Sequence, residues 1–231
     1  MTAESLFDEN VTRLFAHWTV ATHDKVQLWE GGPYWATTNI GAEKPEDSGY
    51  YFWWGDTVGY RREGDKWVAT DGSSSDFSFG SANTPTYDKD VATLRSEGWI
   101  TADGILAPAH DAAQAQWGGD WRMPTQQEFD DLNSKCDWAW TTTQDGVNGY
   151  IVSGRNAYAS KSIFIPCAGY GYGASLYNSG SLGYYWSSVP NSDNYYLSWD
   201  LYFYSSCHDT DSYYCSRVLG FSVRPVQGFT K

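Results

Sequence analysis

The chain is poor in long apolar runs, in cysteine, in methionine and in positive charge, and each shortage excludes something. No window approaches the ~18 consecutive apolar residues that a membrane-spanning helix needs. The first thirty residues have neither the basic start nor the apolar run of a signal peptide. Direct membrane insertion is therefore not expected, and display on a virion or cell surface through a partner is preferred to direct secretion. The four cysteines, Cys136, Cys167, Cys207 and Cys215, are too sparse for a disulfide framework, and no Cys-x-x-Cys pair suggests a metal knuckle or redox centre. Against 28 acidic residues stand only 15 basic ones, a net charge of −13, so a polyanion meets net repulsion and no nucleic-acid partner is expected.

What the chain has in excess is aromatic: 13 Trp, 18 Tyr and 10 Phe, interleaved with 23 Gly, in 231 residues. This suits short strands and many turns better than long helices, and the length suits one domain. Three stretches carry helical signals. In Asp8 to Trp18, the residues Val11, Leu14, Phe15 and Trp18 share a face. Asp90 to Gly98 has an acidic start and a glycine stop. Thr125 and Glu128 form a capping box ahead of Phe129, Leu132 and Cys136. Strands are expected at Tyr50–Gly55, Ser162–Pro166 and Leu197–Tyr204. In the last, Leu197, Trp199, Leu201 and Phe203 alternate with Tyr196, Ser198, Asp200, Tyr202 and Tyr204, predicting the first set toward a core and the second outward. Asp71–Asp76 reads as an exposed excursion, and no internal repeat is present.

The composition breaks near residue 162. Ser162 to Ser216, 55 residues, contain no Lys, Arg, Glu, Gln or Met yet hold 11 of the 18 Tyr. From Tyr184 to Ser216 there are 8 Tyr, 8 Ser and 6 Asp or Asn in 33 residues, the composition of a binding surface that must accept varied partners. The competing explanation is a half-buried sheet whose rings pack in cross-strand pairs, with Ser and Asp in its turns.

Several strings, in order, carry a family resemblance: Tyr34–Gly41 (YWATTNIG), Gly49–Gly55 (GYYFWWG), Trp117–Thr125 (WGGDWRMPT) leading into Glu128 and Phe129, and Cys136–Trp140 (CDWAW). They continue with Ser162–Pro166 (SIFIP), Gly183–Ser188 (GYYWSS), Leu201–Phe203 (LYF) and Gly220–Val226 (GFSVRPV). The chain resembles the variable proteins of diversity-generating retroelements, which carry a C-type lectin-like fold of the formylglycine-generating-enzyme subclass. The resemblance implies a single α+β domain spanning 1–231. Residues 1–161 would be scaffold with an N-terminal helix, 162–216 a variable ligand-binding region and 217–231 a closing strand and tail. It further implies that adenines of a template repeat are copied unfaithfully, turning AAY codons into NNY. Those codons never encode Lys, Glu, Gln, Met or Trp, so Trp186 and Trp199 would be fixed scaffold. Arg is permitted and still absent, so the codon rule covers most of the composition and not all of it.

The ligand-binding residues expected on this reading are Tyr185, Asn191, Asp193, Asn194, Tyr196, Ser198, Asp200, Tyr202, Tyr204, Ser206, His208, Asp209, Asp211, Tyr213 and Tyr214. The partner expected is a protein or glycan of variable identity. No catalytic residue, metal or cofactor is assigned. The enzymes that share the scaffold use a C-terminal cysteine pair, which makes a thiol oxidase built on Cys207 and Cys215 the rival, alongside an invariant adhesion domain. Against the oxidase, no Lys or Arg lies from residue 162 to 216 to help lower a thiol pKa, and the neighbours are His208, Asp209 and Asp211. His208-Asp209-Thr210-Asp211 lacks the glycine and bidentate Glu of a calcium loop, and the calcium lectins' sugar motifs are missing. His17, His23 and His110 have no nucleophile spaced to use them, and Gly169–Gly173 reads as a tight scaffold turn without the Lys of a phosphate loop.

Overall fold

In the computed structural model, residues 23–143, 145–211 and 215–228 are described. The expected helix at Asp8–Trp18 and the site residues Tyr213 and Tyr214 lie outside them. The architecture is mixed α+β, with short helices and small antiparallel sheets. One sheet closes the chain on itself. Its strands β1 (Lys25–Gln27), β2 (Tyr34–Ala36), β14 (Val226–Gln227) and β5 (Trp121–Arg122) lie in the order β1-β2-β14-β5, so the two ends of the described chain are neighbours. Strands β3 (Tyr60–Glu63) and β4 (Lys66–Ala69) form a hairpin. Strands β6 (Asp137–Thr142), β7 (Asn148–Ser153) and β8 (Ser162–Pro166) form a meander. A second hairpin joins β9 (Tyr170–Tyr172) to β10 (Ser175–Tyr177). A further three-stranded sheet is built from β11 (Gly183–Pro190), β12 (Ser198–Tyr204) and β13 (Cys207–Asp211).

The helices follow their caps. Asp90 accepts from the Thr93 amide at 2.7 Å and starts α1 (Val91–Ser96). Thr125 and Glu128 close both halves of the capping box at the head of α3 (Gln126–Lys135). A helix the periodicity did not indicate, α2 (Ala112–Trp117), starts at Asp111, whose carboxylate takes the Ala113, Gln114 and Met123 amides. The expected strand at Tyr50–Gly55 is reduced to single bridges, Tyr51 to Tyr60 and Phe52 to Phe221, because Gly55 turns the chain at φ 94°.

Three aromatic cores result. The first gathers Trp35, Phe129, Leu132, Ile165, Tyr185, Leu201 and Phe203 between α3 and the β11–β12–β13 sheet. The second packs Phe52, Trp54, Met123, Trp186, Cys215 and Phe221. The third holds Tyr51, Trp67 and Phe79 under the β3–β4 hairpin. Burying one such ring contributes roughly 2–3 kcal/mol of transfer free energy, which is how short strands with few ladder bonds stay in place.

A tyrosine-lined face

Strand β12 positions the site, and its two faces differ. Leu201 and Phe203 are buried in the first core, while Tyr202 and Tyr204 lie on the opposite face, half-buried and exposed. Toward the start of the strand that opposite face is covered, and here the expected outward set needs correction. Ser198 and Asp200 are both fully buried. Ser198 donates its amide to the Cys215 carbonyl, so the 215–217 segment pairs along the edge of β12, and the Arg217 guanidinium, 3.0 Å from Ser198 Oγ, covers that side chain. Conversely, Leu197 and Trp199 are only half-buried. Alternation tells which face a residue takes, and a later segment decides whether that face is roofed. Tyr185 is also corrected: it is fully buried, and its hydroxyl donates to the Pro166 carbonyl at 2.6 Å. Desolvation raises its pKa above the usual phenol range.

The uncovered face carries a chain of tyrosine rings. Tyr177 stacks on Tyr170 at 5.4 Å, Tyr170 meets Tyr184 at 5.4 Å, Tyr184 pairs across the strands with Tyr202 at 5.0 Å, and Tyr202 reaches Tyr204 at 5.8 Å. Tyr172, half exposed at 52%, joins Tyr170, Tyr184 and Leu219 around a hollow of about 490 Å³. A neighbouring hollow of about 740 Å³ shares Tyr172 and Leu219 and extends to Tyr87 and Ser216. The Tyr87 ring lies 5.0 Å from Tyr196, which meets Tyr195 in a tilted contact at 4.2 Å beside a third hollow. The rings thus form one strip over both hollows and into the third.

Glycine makes the strip possible at β9. Gly171 points inward, where a Cβ would stand 2.7 Å from the Phe79 ring, so the backbone rests on Phe79 and Tyr170 and Tyr172 project the other way. Gly169–Gly173 is therefore most of a hairpin strand, not the tight turn the spacing suggested. Tyr170, Tyr172, Tyr177 and Tyr184 lie within the expected variable region but were not singled out; the Gly-Tyr alternation was their signal. Tyr87 and Leu219 lie outside it, and no local pattern marks them.

The polar residues divide. Asn191 accepts the Asp193 and Asn194 amides, and Asn194 accepts the Tyr196 amide, so these side chains shape the loop that lifts Tyr195 and Tyr196. Asp193 and Ser206 are exposed, and Asp209 is exposed opposite Tyr202 on the open face. His208 is corrected: it faces α3, stacks on Trp138 at 4.4 Å, and its Nδ1 lies 3.1 Å from Asn133 Oδ1. Burial lowers its pKa. The Asp211 backbone pairs with Asp200, its side chain lying outside the description.

Cys207 pairs with Tyr204 at one end of β12, while Cys215 bonds the Ser198 amide at the other. Six residues of strand, roughly 20 Å, separate the two anchor points, well beyond the span of a disulfide. Cys207 is half-buried and Cys215 buried. Among the described residues no group of three or more His, Cys, Asp or Glu gathers as a metal site would require. His23 stacks on Trp117 at 3.6 Å, and His110 meets Trp99 in a tilted contact at 4.0 Å. A separate hollow of about 640 Å³ near the chain ends is lined by Tyr34, Leu106, Asp111 and Arg122. Its two buried charges are engaged: Asp111 caps α2, and Arg122 pairs with Glu128, Nη1 donating to Oε2 at 2.7 Å. The strip is the better candidate for a ligand.

Residues 124–226 are similar to a family described as a domain of unknown function, DUF8237. That segment runs from the start of α3 to β14 and contains the hairpins bearing most of the strip, whereas Tyr87 comes from outside it. No curated protein and no solved structure matches the chain.

Proposed function

We propose that this chain is a ligand-binding protein on a C-type lectin-like scaffold, the variable protein of a diversity-generating retroelement, whose strip of tyrosines meets a protein or glycan partner. The observation that carries the reading is the separation of duties within 162–216. Leu201, Phe203, Trp186 and Tyr185 make the core, while Tyr172, Tyr195, Tyr196 and Tyr204 stand at 36–52% exposure and belong to none of the three cores. A surface built this way accepts substitution without losing its fold, and tyrosine supplies wide contact at small entropic cost. The lectin-like scaffold is supported by the ordered strings, by the antiparallel pairing of β2 with β14 near the two ends of the described residues and by the long irregular connections between small sheets. Display through a partner on a virion or cell surface completes the proposal.

The test is codon-by-codon sequencing of the locus across one natural population. Variation is expected at exposed positions such as Tyr172, Tyr195, Tyr204 and Asp209. Ser198, Asp200 and Tyr185 have residue types that the same codons reach, and burial should hold them constant. Equal constancy at exposed and buried positions would leave a fixed adhesive surface instead. A thiol reaction at Cys207 and Cys215 would require the two to approach across most of the length of β12.

A further inference from the structure

One corner of the strip differs chemically from the rest. The hollow at Tyr195 and Tyr196, about 490 Å³, is walled on its other side by Asp88, Lys89, Asp90 and Thr93. Two phenol rings in tilted contact therefore share one opening with two exposed carboxylates, with Tyr87 behind Tyr196 at 5.0 Å. The cation in this wall is already engaged, since the Lys89 ammonium lies 2.9 Å from Glu97. Asp90 spends one oxygen on the Thr93 amide, a bond that holds its pKa below the usual carboxylate range, so it stays ionised. Asp88 makes no hydrogen bond or ion pair among the described residues. The Tyr196 hydroxyl is pushed up to about 12, first by its hydrogen bond with Tyr195, then by burial, then by the Tyr195, Tyr87 and Asp88 charges. No Lys or Arg occurs anywhere from 162 to 216 to neutralise the opening.

We propose that this notch is a cation subsite that takes the guanidinium or ammonium group of an Arg or Lys side chain presented by a protein partner. The proposal rests on the ligand-binding reading of the strip and narrows it. A ring face and a carboxylate stabilise the same positive charge by different means, the quadrupole of the ring and the Coulomb field of the oxygen, and together they select a cation over a neutral sugar. The position is held from beneath. Arg217, fully buried, donates to the Thr86 and Lys89 carbonyls and to the Leu197 carbonyl, tying the acidic turn and the tyrosine loop to one side chain.

The experiment titrates the full chain with Nα-acetyl-arginine amide, Nα-acetyl-glutamine amide and N-acetylglucosamine, following Tyr195, Tyr196 and Thr93 resonances. It is repeated on the Asp88→Asn/Asp90→Asn variant. Asn suits both places, because Asp88 sits at φ 61°, which Asn tolerates, and Asn caps a helix as well as Asp does. Unchanged thermal melting certifies the fold. Expected is a shift of these three residues by the arginine probe alone, with affinity at least about fivefold weaker in the variant and weaker in high salt. Equal affinity in the variant, shifts confined to other residues, or no shift with arginine overturns the proposal. Shifts of Tyr195 and Tyr196 by the sugar or the glutamine probe overturn the cation subsite yet leave a ligand-binding face. The population test above fails or holds independently of any of these results.

Discussion

Replacing Arg217 with Met should loosen both the fold and the face. The guanidinium is fully buried, lies 4.9 Å over the Trp54 ring and makes four hydrogen bonds, at 3.0, 3.0, 3.0 and 2.7 Å, to Leu197 O, Ser198 Oγ, Thr86 O and Lys89 O. Bonds from a charged donor are worth about 1.5–3 kcal/mol each. Removing a buried ion recovers several kcal/mol of desolvation, and Met keeps the apolar packing against Trp54, so the net loss is about 3 kcal/mol. Part of that loss is the Lys89 carbonyl left without its donor. For a domain of this size each kcal/mol moves Tm by about 2–4 °C, giving a fall of about 6–12 °C by calorimetry. Tyr87 and Tyr196 should shift in NMR spectra as the 86–89 turn detaches. Lys at 217 should not rescue, because its single ammonium cannot span acceptors on two segments as the planar fork does. A fall under about 2 °C, or full rescue by Lys, would refute the clamp.

Other consequences are as direct. Tyr204→Ser with Tyr195→Ser should change stability by less than about 1 kcal/mol, since both rings lie on the surface and outside the three cores; a Tm loss above about 4 °C would mean that they carry structure. Phe203→Ala should cost about 3–5 kcal/mol by chemical denaturation, because it empties the seat shared by Trp138, Tyr150, Tyr185 and Gly183. His208 has its pKa lowered by burial, so its contribution to stability is present above its unfolded value near 6.5 and is lost as pH falls through the folded value. Unfolding followed at several pH values, with His208→Phe as control, should show that slope in the wild type alone. Asp56, pushed up by burial to about 6, acts in the opposite sense: its stabilisation is present below about pH 4 and lost as pH rises through 6, a midpoint that carboxyl-carbon NMR reads directly.

Local chemistry was legible along the chain. The caps at Asp90 and Thr125, the strand at Ser162–Pro166 and the inward pair Leu201 and Phe203 depend on neighbours within a few residues, and composition alone set 162–216 apart as rich in tyrosine and free of Lys, Arg, Glu, Gln and Met. What covers a strand is not local. Ser198 and Asp200 obey the same alternation as Tyr202 and Tyr204 yet are fully buried, and over Ser198 the cover is the side chain of Arg217, from a later segment of the chain. His208 turned inward for a similar reason: α3, more than seventy residues earlier, offers it Asn133. Tyr87 and Leu219 join the strip from either side of the 162–216 region, brought there by the cores beneath. Periodicity and capping are short-range free energies that the sequence states by itself. Burial, and with it the difference between a contact residue and a core residue, is a property of the packed whole.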